Sequence, residues 1–166
     1  KNPRDVQAVL MGIQRCGLQH SGGWQGEPLQ GLSHAAVAER LNGASLFLAF
    51  GHPEGFGLPI AEAMVAGCWV VGYSGGGGHE LFRFGASEEV AFGDWPAFIA
   101  SLQRAFAAFA EQPRETELRL QRQALAVRSL YSHAQERQSI VSAWERIEKA
   151  FACWKQSRIA VLGDQQ

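Results

Sequence analysis

The N-terminal part of the chain alternates between helix-like spacing and polar segments. Between residues 5 and 16, apolar residues recur at intervals of three and four, which predicts a helix that Gly17 ends. A second helix is predicted to begin at Ser33, a good N-cap, and to end near the Asn-Gly pair at 42–43. The segment between them is rich in glycine and polar residues, and only residues 27–30 indicate a weak strand.

Two continuous apolar runs in the middle of the chain have the length of buried strands. They are residues 46–50 (LFLAF) and 69–73 (WVVGY), and such runs are typical of strands covered by helices on both faces. A glycine-rich loop at 51–58 and a short helix at 59–66 lie between them. Strand, loop, helix and strand form a βαβ unit, which implies a parallel sheet with a right-handed crossover.

The C-terminal third of the chain has helical spacing. Four consecutive glycines at 75–78 follow the second strand, and three helical patterns come after them, at residues 95–110, 115–130 and 134–151. We expect the phenylalanines of this region to belong to the core rather than to a stacking platform: Phe98, Phe106 and Phe109.

The predicted fold class is therefore α/β, a Rossmann-like parallel sheet flanked by helices with a helical C-terminal part. We assign residues 1–154 to this domain and residues 155–166 to a tail. The tail has no clear period, so we expect it either to be mobile or to dock onto a segment absent here. The first residue is lysine rather than methionine, so we expect that an upstream segment has been removed.

Composition narrows the class of partner. In 166 residues, 15 Lys and Arg balance 16 Asp and Glu, so no basic field attracts nucleic acid or an anionic membrane, and an anion must be bound locally. Three dispersed cysteines fit neither a disulfide framework nor a zinc site, which favours reduced thiols in a cytosolic protein. No apolar stretch approaches the roughly 18 to 20 residues of a membrane span.

Residues 54–64, EGFGLPIAEAM, are the candidate site because they follow a buried strand and open a helix. Gly55 and Gly57 let the backbone approach a ligand, and free amides with the helix dipole favour an anion such as a diphosphate. Glu62 stands among apolar and small residues, so we expect it to be buried and to need hydrogen-bond donors such as sugar hydroxyls. The Glu54 carboxylate would accept hydrogen bonds either from hexose hydroxyls or from the amides of its own loop.

For either glutamate alone, a simpler interpretation is equally good. Glu62 would then be a first-turn acid that suits the helix dipole, and Glu54 an ordinary loop charge. The combination of both with the glycines and the strand–helix context favours a functional site.

This segment resembles a known motif. Two glutamates separated by seven residues, with Gly-Phe-Gly-Leu-Pro between them and Ala-Met after, resemble the E-x7-E motif of retaining GT-B glycosyltransferases of the group 1 and sucrose synthase kind. The similarity runs from about Leu32 to Phe82, and a weaker one lies in residues 131–144. One departure is Trp69, where the family usually has proline after Gly-Cys.

The resemblance implies roles for individual residues. Glu54 would contact the donor sugar, with Gly55, Phe56 and Gly57 offering backbone amides to sugar and diphosphate. The ribose and diphosphate would be bound by Leu58, Glu62 and Lys1, with Glu62 on the ribose hydroxyls and Lys1 neutralising the leaving diphosphate.

The other polar residues offer less. His52 could line the cleft because it precedes Glu54 at the strand's end, whereas the histidines have no spacing that fits a metal site. The second glycine-rich segment, 74–80, either contributes to the donor pocket or is a flexible turn. As a dinucleotide fingerprint the four glycines are poor, because that motif follows the first strand of its fold.

The predicted function is the donor-binding half of a glycosyltransferase that moves a sugar from a nucleotide-diphosphate sugar to an acceptor. By resemblance, the enzyme is retaining, needs no metal or other cofactor, and has an N-terminal acceptor-binding domain that is absent here, so this half alone would be inactive. We expect a cytoplasmic protein, with peripheral membrane attachment through the missing domain left open. Two alternatives are a non-catalytic nucleotide-binding or interaction module and an NAD-binding Rossmann domain.

Overall fold

A computed structural model of the chain describes residues 2–18 and 23–163, with side chains up to Ser157. These residues form two compact units, one that ends at Arg128 and one that begins at Ser129. In chain order the regular elements are α1 (Pro3–Arg15), α2 (His34–Asn42), β1 (Leu46–Ala49), α3 (Leu58–Val65), β2 (Trp69–Gly72), a 3-10 helix (His79–Phe84), β3 (Glu88–Glu89), α4 (Trp95–Glu111), α5 (Pro113–Leu130) and α6 (His133–Gly163).

The sheet has three parallel strands in the order β1-β2-β3. Leu46 pairs with Trp69 at the start of β1, and Val71 of β2 pairs with Glu88 of β3. Every residue of β2 is buried, whereas β1 is half-buried along most of its length. The predicted βαβ unit and the Rossmann-like α/β fold are confirmed, although β3, with its two glutamates, gave no apolar signal in the sequence.

A hydrophobic cluster of the first unit lies between the sheet and the helices α1, α4 and α5. Phe98 is completely buried, and Phe106 and Phe109 pack partly buried against the same cluster, so the predicted core role of these rings is confirmed. Trp69 is 3% exposed, and the Arg119 guanidinium lies over its ring at 5.5 Å. The tryptophan at the position of the family's proline therefore fills the core.

Two sequence predictions on regular structure need correction. Residues 27–30 form no strand, and Pro28 at their centre lacks the N–H group that a sheet ladder requires. The last helix was predicted over 134–151, but α6 continues to Gly163. The predicted domain and tail boundaries stay predictions.

The second unit consists mainly of α6, which exposes a row of large apolar side chains at intervals of three and four residues. They are Ile140, Trp144, Ile147, Phe151 and Trp154. Within the part of the chain that the structure describes, no helix is both long enough and apolar enough to cross a membrane.

We predict that truncating one core ring strongly lowers the stability of the first unit. Phe98→Ala should lower the free energy of unfolding by about 3 to 5 kcal/mol, because it removes a fully buried ring and leaves a cavity. Leu118→Ala, at a position on α5 that is 52% exposed, should change it by about 0.5 kcal/mol or less. Urea unfolding of both variants measures the difference, and equal losses would contradict this account of the core.

A second prediction concerns Cys68, whose buried thiol donates to the carbonyls of Leu41 and Ala44 at 3.3 Å. Burial raises the pKa of this thiol to about 11, so its reactive thiolate form is scarce at pH 8. Cys16 and Cys153 are exposed. Titration with a disulfide reagent at pH 8 should therefore modify two thiols quickly in the native protein and three in denaturant. Rapid modification of a third native thiol that is absent in Cys68→Ser would show that the site opens.

Candidate functional site

The carboxyl ends of β1 and β2 lead into two glycine-rich loops at one edge of the parallel sheet. Residues 50–57, the first loop, join β1 to α3, and residues 73–78, the second loop, join β2 to the 3-10 helix. This edge is where ligands bind in open α/β sheets, because neighbouring strands deliver their loops to the same place. The predicted site segment therefore lies at this edge together with a second glycine-rich loop.

The two loops are joined by backbone hydrogen bonds that continue the strand pairing. The Glu54 amide donates to the Gly75 carbonyl at 2.8 Å, and the Gly77 amide donates to the Glu54 carbonyl at 3.1 Å. Glu54 and Gly76 form a parallel bridge by this pattern. The first loop is thus held to the second on both sides of Glu54.

Close approach of the loops explains the run of glycines. A Cβ at Gly77 would lie 1.8 Å from the Gly55 carbonyl oxygen, and one at Gly75 would lie 2.4 Å from the Glu54 Cβ. A Cβ at Gly78 would lie 2.9 Å from the Phe56 carbonyl oxygen. Three of the four glycines are therefore packing requirements, and the second loop is fitted against the first rather than being a free turn.

Helix α3 begins directly behind the first loop. Its N-cap Gly57 has the left-handed conformation (φ 84°, ψ 48°), and the Ile60 and Ala61 amides donate to the Gly57 carbonyl. Pro59 occupies the first turn, where a missing N–H costs nothing. The positive end of the α3 dipole consequently lies at the end of the first loop.

The expected burial of Glu62 is wrong, because its side chain is exposed. Helix α3 packs Ile60, Ala63 and Met64 inward, and Glu62 lies on the opposite face. Leu58, one turn earlier on that face, is 64% exposed. The desolvation argument for Glu62 therefore fails, but the two predicted nucleotide contacts of α3 share an accessible face.

Glu54 has a different environment from Glu62. Its side chain is half-buried and folds back over Gly51, where an added Cβ would lie 2.6 Å from Oε1 of Glu54. Gly55 is exposed and Phe56 half-buried. Gly57 is buried, so the predicted donor-sugar residues differ in their accessibility, and their roles stay predictions. Lys1 lies outside the described residues.

His52, predicted to line the cleft, is half-buried and stacks on Phe92 with ring centroids 4.0 Å apart. Phe92 in turn meets the Tyr73 ring edge-on at 5.2 Å. Aromatic rings therefore flank the ends of β1 and β2. Phe92 was not singled out in the sequence, because a phenylalanine between strand and helix has no distinguishing pattern.

The first turn of α1 holds both strand ends through polar side chains. The Asn2 amide Nδ2 donates to the Phe50 carbonyl at 2.7 Å. The Asp5 carboxylate, 8% exposed, accepts from the Tyr73 hydroxyl at 3.1 Å and from the Trp95 indole at 2.7 Å. The sequence does not indicate these contacts, because an acid in a first helical turn is ordinary and its partners lie far along the chain.

The first residue of the second loop, Tyr73, has a shifted pKa. Burial raises the pKa of the Tyr73 hydroxyl, and its hydrogen bond to the Asp5 carboxylate raises it further. The hydroxyl therefore remains a protonated donor at neutral pH, which keeps its bond to Asp5 intact.

A surface depression of about 500 Å³ follows the second loop. It is lined by residues of the 3-10 helix and the segment after it: His79, Glu80, Phe82, Arg83, Ser87 and Glu89. Since this lining comes from beyond the four glycines, the depression is distinct from the paired loops.

The fold and the paired loops define a Rossmann-like domain with its candidate site at the carboxyl edge of the sheet. The family model for glycosyl transferases group 1 matches residues 25–124, and the chain belongs to this family. The matched range includes both loops, the three strands, α3 and α4.

A curated relative matches a shorter stretch. The chain is 43% identical over 47 residues to an alpha-1,6-glucosyltransferase of Actinobacillus pleuropneumoniae serotype 7 (strain AP76). This match covers 28% of the present chain and 14% of the length of that enzyme. No solved structure matches the chain.

The contact between the loops predicts that alanine destabilises the protein at Gly77 but not at Gly55. Gly77→Ala should lower stability by about 1 to 3 kcal/mol, because its Cβ would collide with the Gly55 carbonyl oxygen. Gly55→Ala is the matched control, since a Cβ there meets nothing within 4 Å. Thermal unfolding compares the two variants, and a Gly77→Ala protein as stable as Gly55→Ala would mean that the loops are not in close contact.

Proposed function

We propose that this chain is the donor-binding half of a glycosyltransferase that moves a sugar from a nucleotide-diphosphate sugar to an acceptor. The observation that carries the proposal is the pairing of two glycine-rich loops at the carboxyl edge, directly before the helix that exposes Glu62. Family membership and the sugar-transferring relative support transferase chemistry. The match to that relative spans a small part of its length, so the substrates belong to the proposal.

The diphosphate would lie against neutral groups rather than a basic patch. Backbone amides of the first loop and the positive end of the α3 dipole both favour negative charge at this place. Gly55 is exposed, and without a side chain it permits close approach of a ligand to the backbone. This arrangement suits a chain whose formal net charge is −1.

The two glutamates would accept hydrogen bonds from hydroxyl groups of the ligand. Glu62 lies on the open face of α3 beside Leu58, which supports a contact with the ribose. Glu54, held in the first loop by its backbone, would contact the donor sugar. Lys1 would add a positive charge for the leaving diphosphate, as the family resemblance implies.

In the reaction, the bond between the anomeric carbon and the diphosphate oxygen breaks, and its electron pair stays on the diphosphate. The acceptor hydroxyl oxygen bonds to the anomeric carbon, and its proton passes to an oxygen of the leaving diphosphate. The contribution of this chain would be to stabilise the charge that develops on the leaving diphosphate. Retention of anomeric configuration, independence of metal, a separate acceptor-binding domain and inactivity of this half alone belong to the same proposal.

Ligand binding tests the proposal directly. The chain is titrated with UDP, GDP and ADP, with their glucose conjugates, and with NAD, while its thermal unfolding is followed. One nucleotide sugar should stabilise the fold by about 2.7 kcal/mol at 100 times its Kd, because it binds only the native state. Glu62→Gln should reduce this stabilisation, and Glu115→Gln, an exposed glutamate on α5, should leave it unchanged.

Amide chemical shifts extend the test to weak binding. A nucleotide sugar at millimolar concentration should move the amide signals of residues 54–58 and 75–78. Signals that do not move with any nucleotide would reject the donor site, and a response to NAD alone would favour the dinucleotide-binding alternative.

A further inference from the structure

Asn2 and Asp5, at the start of α1, form hydrogen bonds to the ends of β1 and β2. Neither residue belongs to the two loops. Asn2, just before α1, has a left-handed backbone (φ 50°, ψ 61°) and points its amide at the end of β1. That amide donates to the Phe50 carbonyl at 2.7 Å and to the His52 carbonyl at 3.4 Å. Both carbonyls belong to the first loop, within four residues of Glu54.

Asp5, one turn further on, holds the other strand end. A single carboxylate oxygen, Oδ1, accepts from both the Tyr73 hydroxyl and the Trp95 indole. Tyr73 begins the second loop, whereas Trp95 begins α4. The carboxylate is 8% exposed, so losing its donors would leave a buried charge unsatisfied, and the position of Tyr73 is firmly defined.

These contacts act on the site through its paired loops. Because Glu54 is bonded to Gly75 and Gly77, movement of either strand end is transmitted to the other loop. A ligand held by backbone amides is sensitive to such movement, since a displacement of about 1 Å can cost on the order of 100-fold in function. Residues that do not touch a ligand can set the geometry of its binding site when packing and hydrogen bonds fix their own positions.

We propose that Asn2 and Asp5 are positioning residues that set the register of the two loops, and thereby the affinity for the donor, without touching the ligand. The consequence for affinity rests on the proposed function. The consequence for loop register does not, so the two can fail separately.

The matched variants are Tyr73→Phe and Trp95→Phe. Each removes one of the two donors to the same Asp5 oxygen and leaves the other in place, but only Tyr73 belongs to a loop of the site. Asn2→Gly removes the amide that holds β1 and permits the positive φ. Asp5→Asn should behave as the native protein, because an amide oxygen can accept both bonds.

Amide hydrogen exchange tests the contact between the two loops without any ligand. The reporters are the amides of Glu54 and Gly77, which form the bonds between the loops. Tyr73→Phe and Asn2→Gly should exchange these two amides at least about tenfold faster than the native protein, whereas Trp95→Phe should leave them within about twofold. Equal acceleration by Trp95→Phe, or none in Tyr73→Phe and Asn2→Gly, would overturn the inference.

Affinity for the nucleotide sugar that stabilises the native protein is the second measurement. Tyr73→Phe and Asn2→Gly should weaken it by about tenfold or more, and Trp95→Phe and Asp5→Asn by less than about twofold. Unchanged affinity in Tyr73→Phe and Asn2→Gly would overturn the link to the donor. If the native protein binds no nucleotide sugar, the proposed function fails, while the exchange measurement still decides whether Asn2 and Asp5 position the loops.

Discussion

The structure of the candidate site depends on the backbone pairing between Glu54 and the glycine run after β2. The strand pairing of β1 and β2 ends at Ala49 and Gly72, so the loops that follow need contacts of their own to meet. Here the Glu54 amide and carbonyl are both used, by Gly75 and Gly77. This contact leaves no room for a Cβ at either glycine, so the sequence must place glycine there for the loops to meet. Three of the four glycines are therefore required for the loops to pack together.

Behind the loops, a small core has to hold the strand ends still. The central strand β2 is fully buried, and the rings of Phe50, Tyr73 and Phe98 pack on one another at its end. Phe50 and Phe98 are stacked at 5.0 Å, with Tyr73 edge-on to both. The packed aromatic rings hold the strand ends in the core, and the hydrogen bonds of Asn2 and Asp5 orient these ends. Both are needed, because packing alone is not directional.

The sequence was informative where a pattern is local and failed where a partner is distant. The βαβ unit follows from two apolar runs with a short helix between them, and the phenylalanine core follows from helical spacing. The weak strand at 27–30 was wrong, since Pro28 cannot donate to a ladder. The Asp5–Tyr73 bond joins residues 68 positions apart, so nothing near Asp5 in the chain indicates it. Glu62 is exposed although its neighbours in sequence are apolar, because burial depends on the face of α3 on which a residue lies.

The exposure of Glu62 changes the electrostatics of the proposed donor site in its favour. A buried carboxylate near a diphosphate would repel it strongly, since two charges 4 Å apart interact by about 4 kcal/mol even at an effective dielectric constant of 20. In water the same pair costs about 1 kcal/mol, an amount that one hydrogen bond from a ribose hydroxyl offsets. An accessible Glu62 can therefore stand near the anion-binding amides, where a desolvated one would oppose them. The site then needs no basic cluster to overcome its own acids, in agreement with the nearly neutral chain.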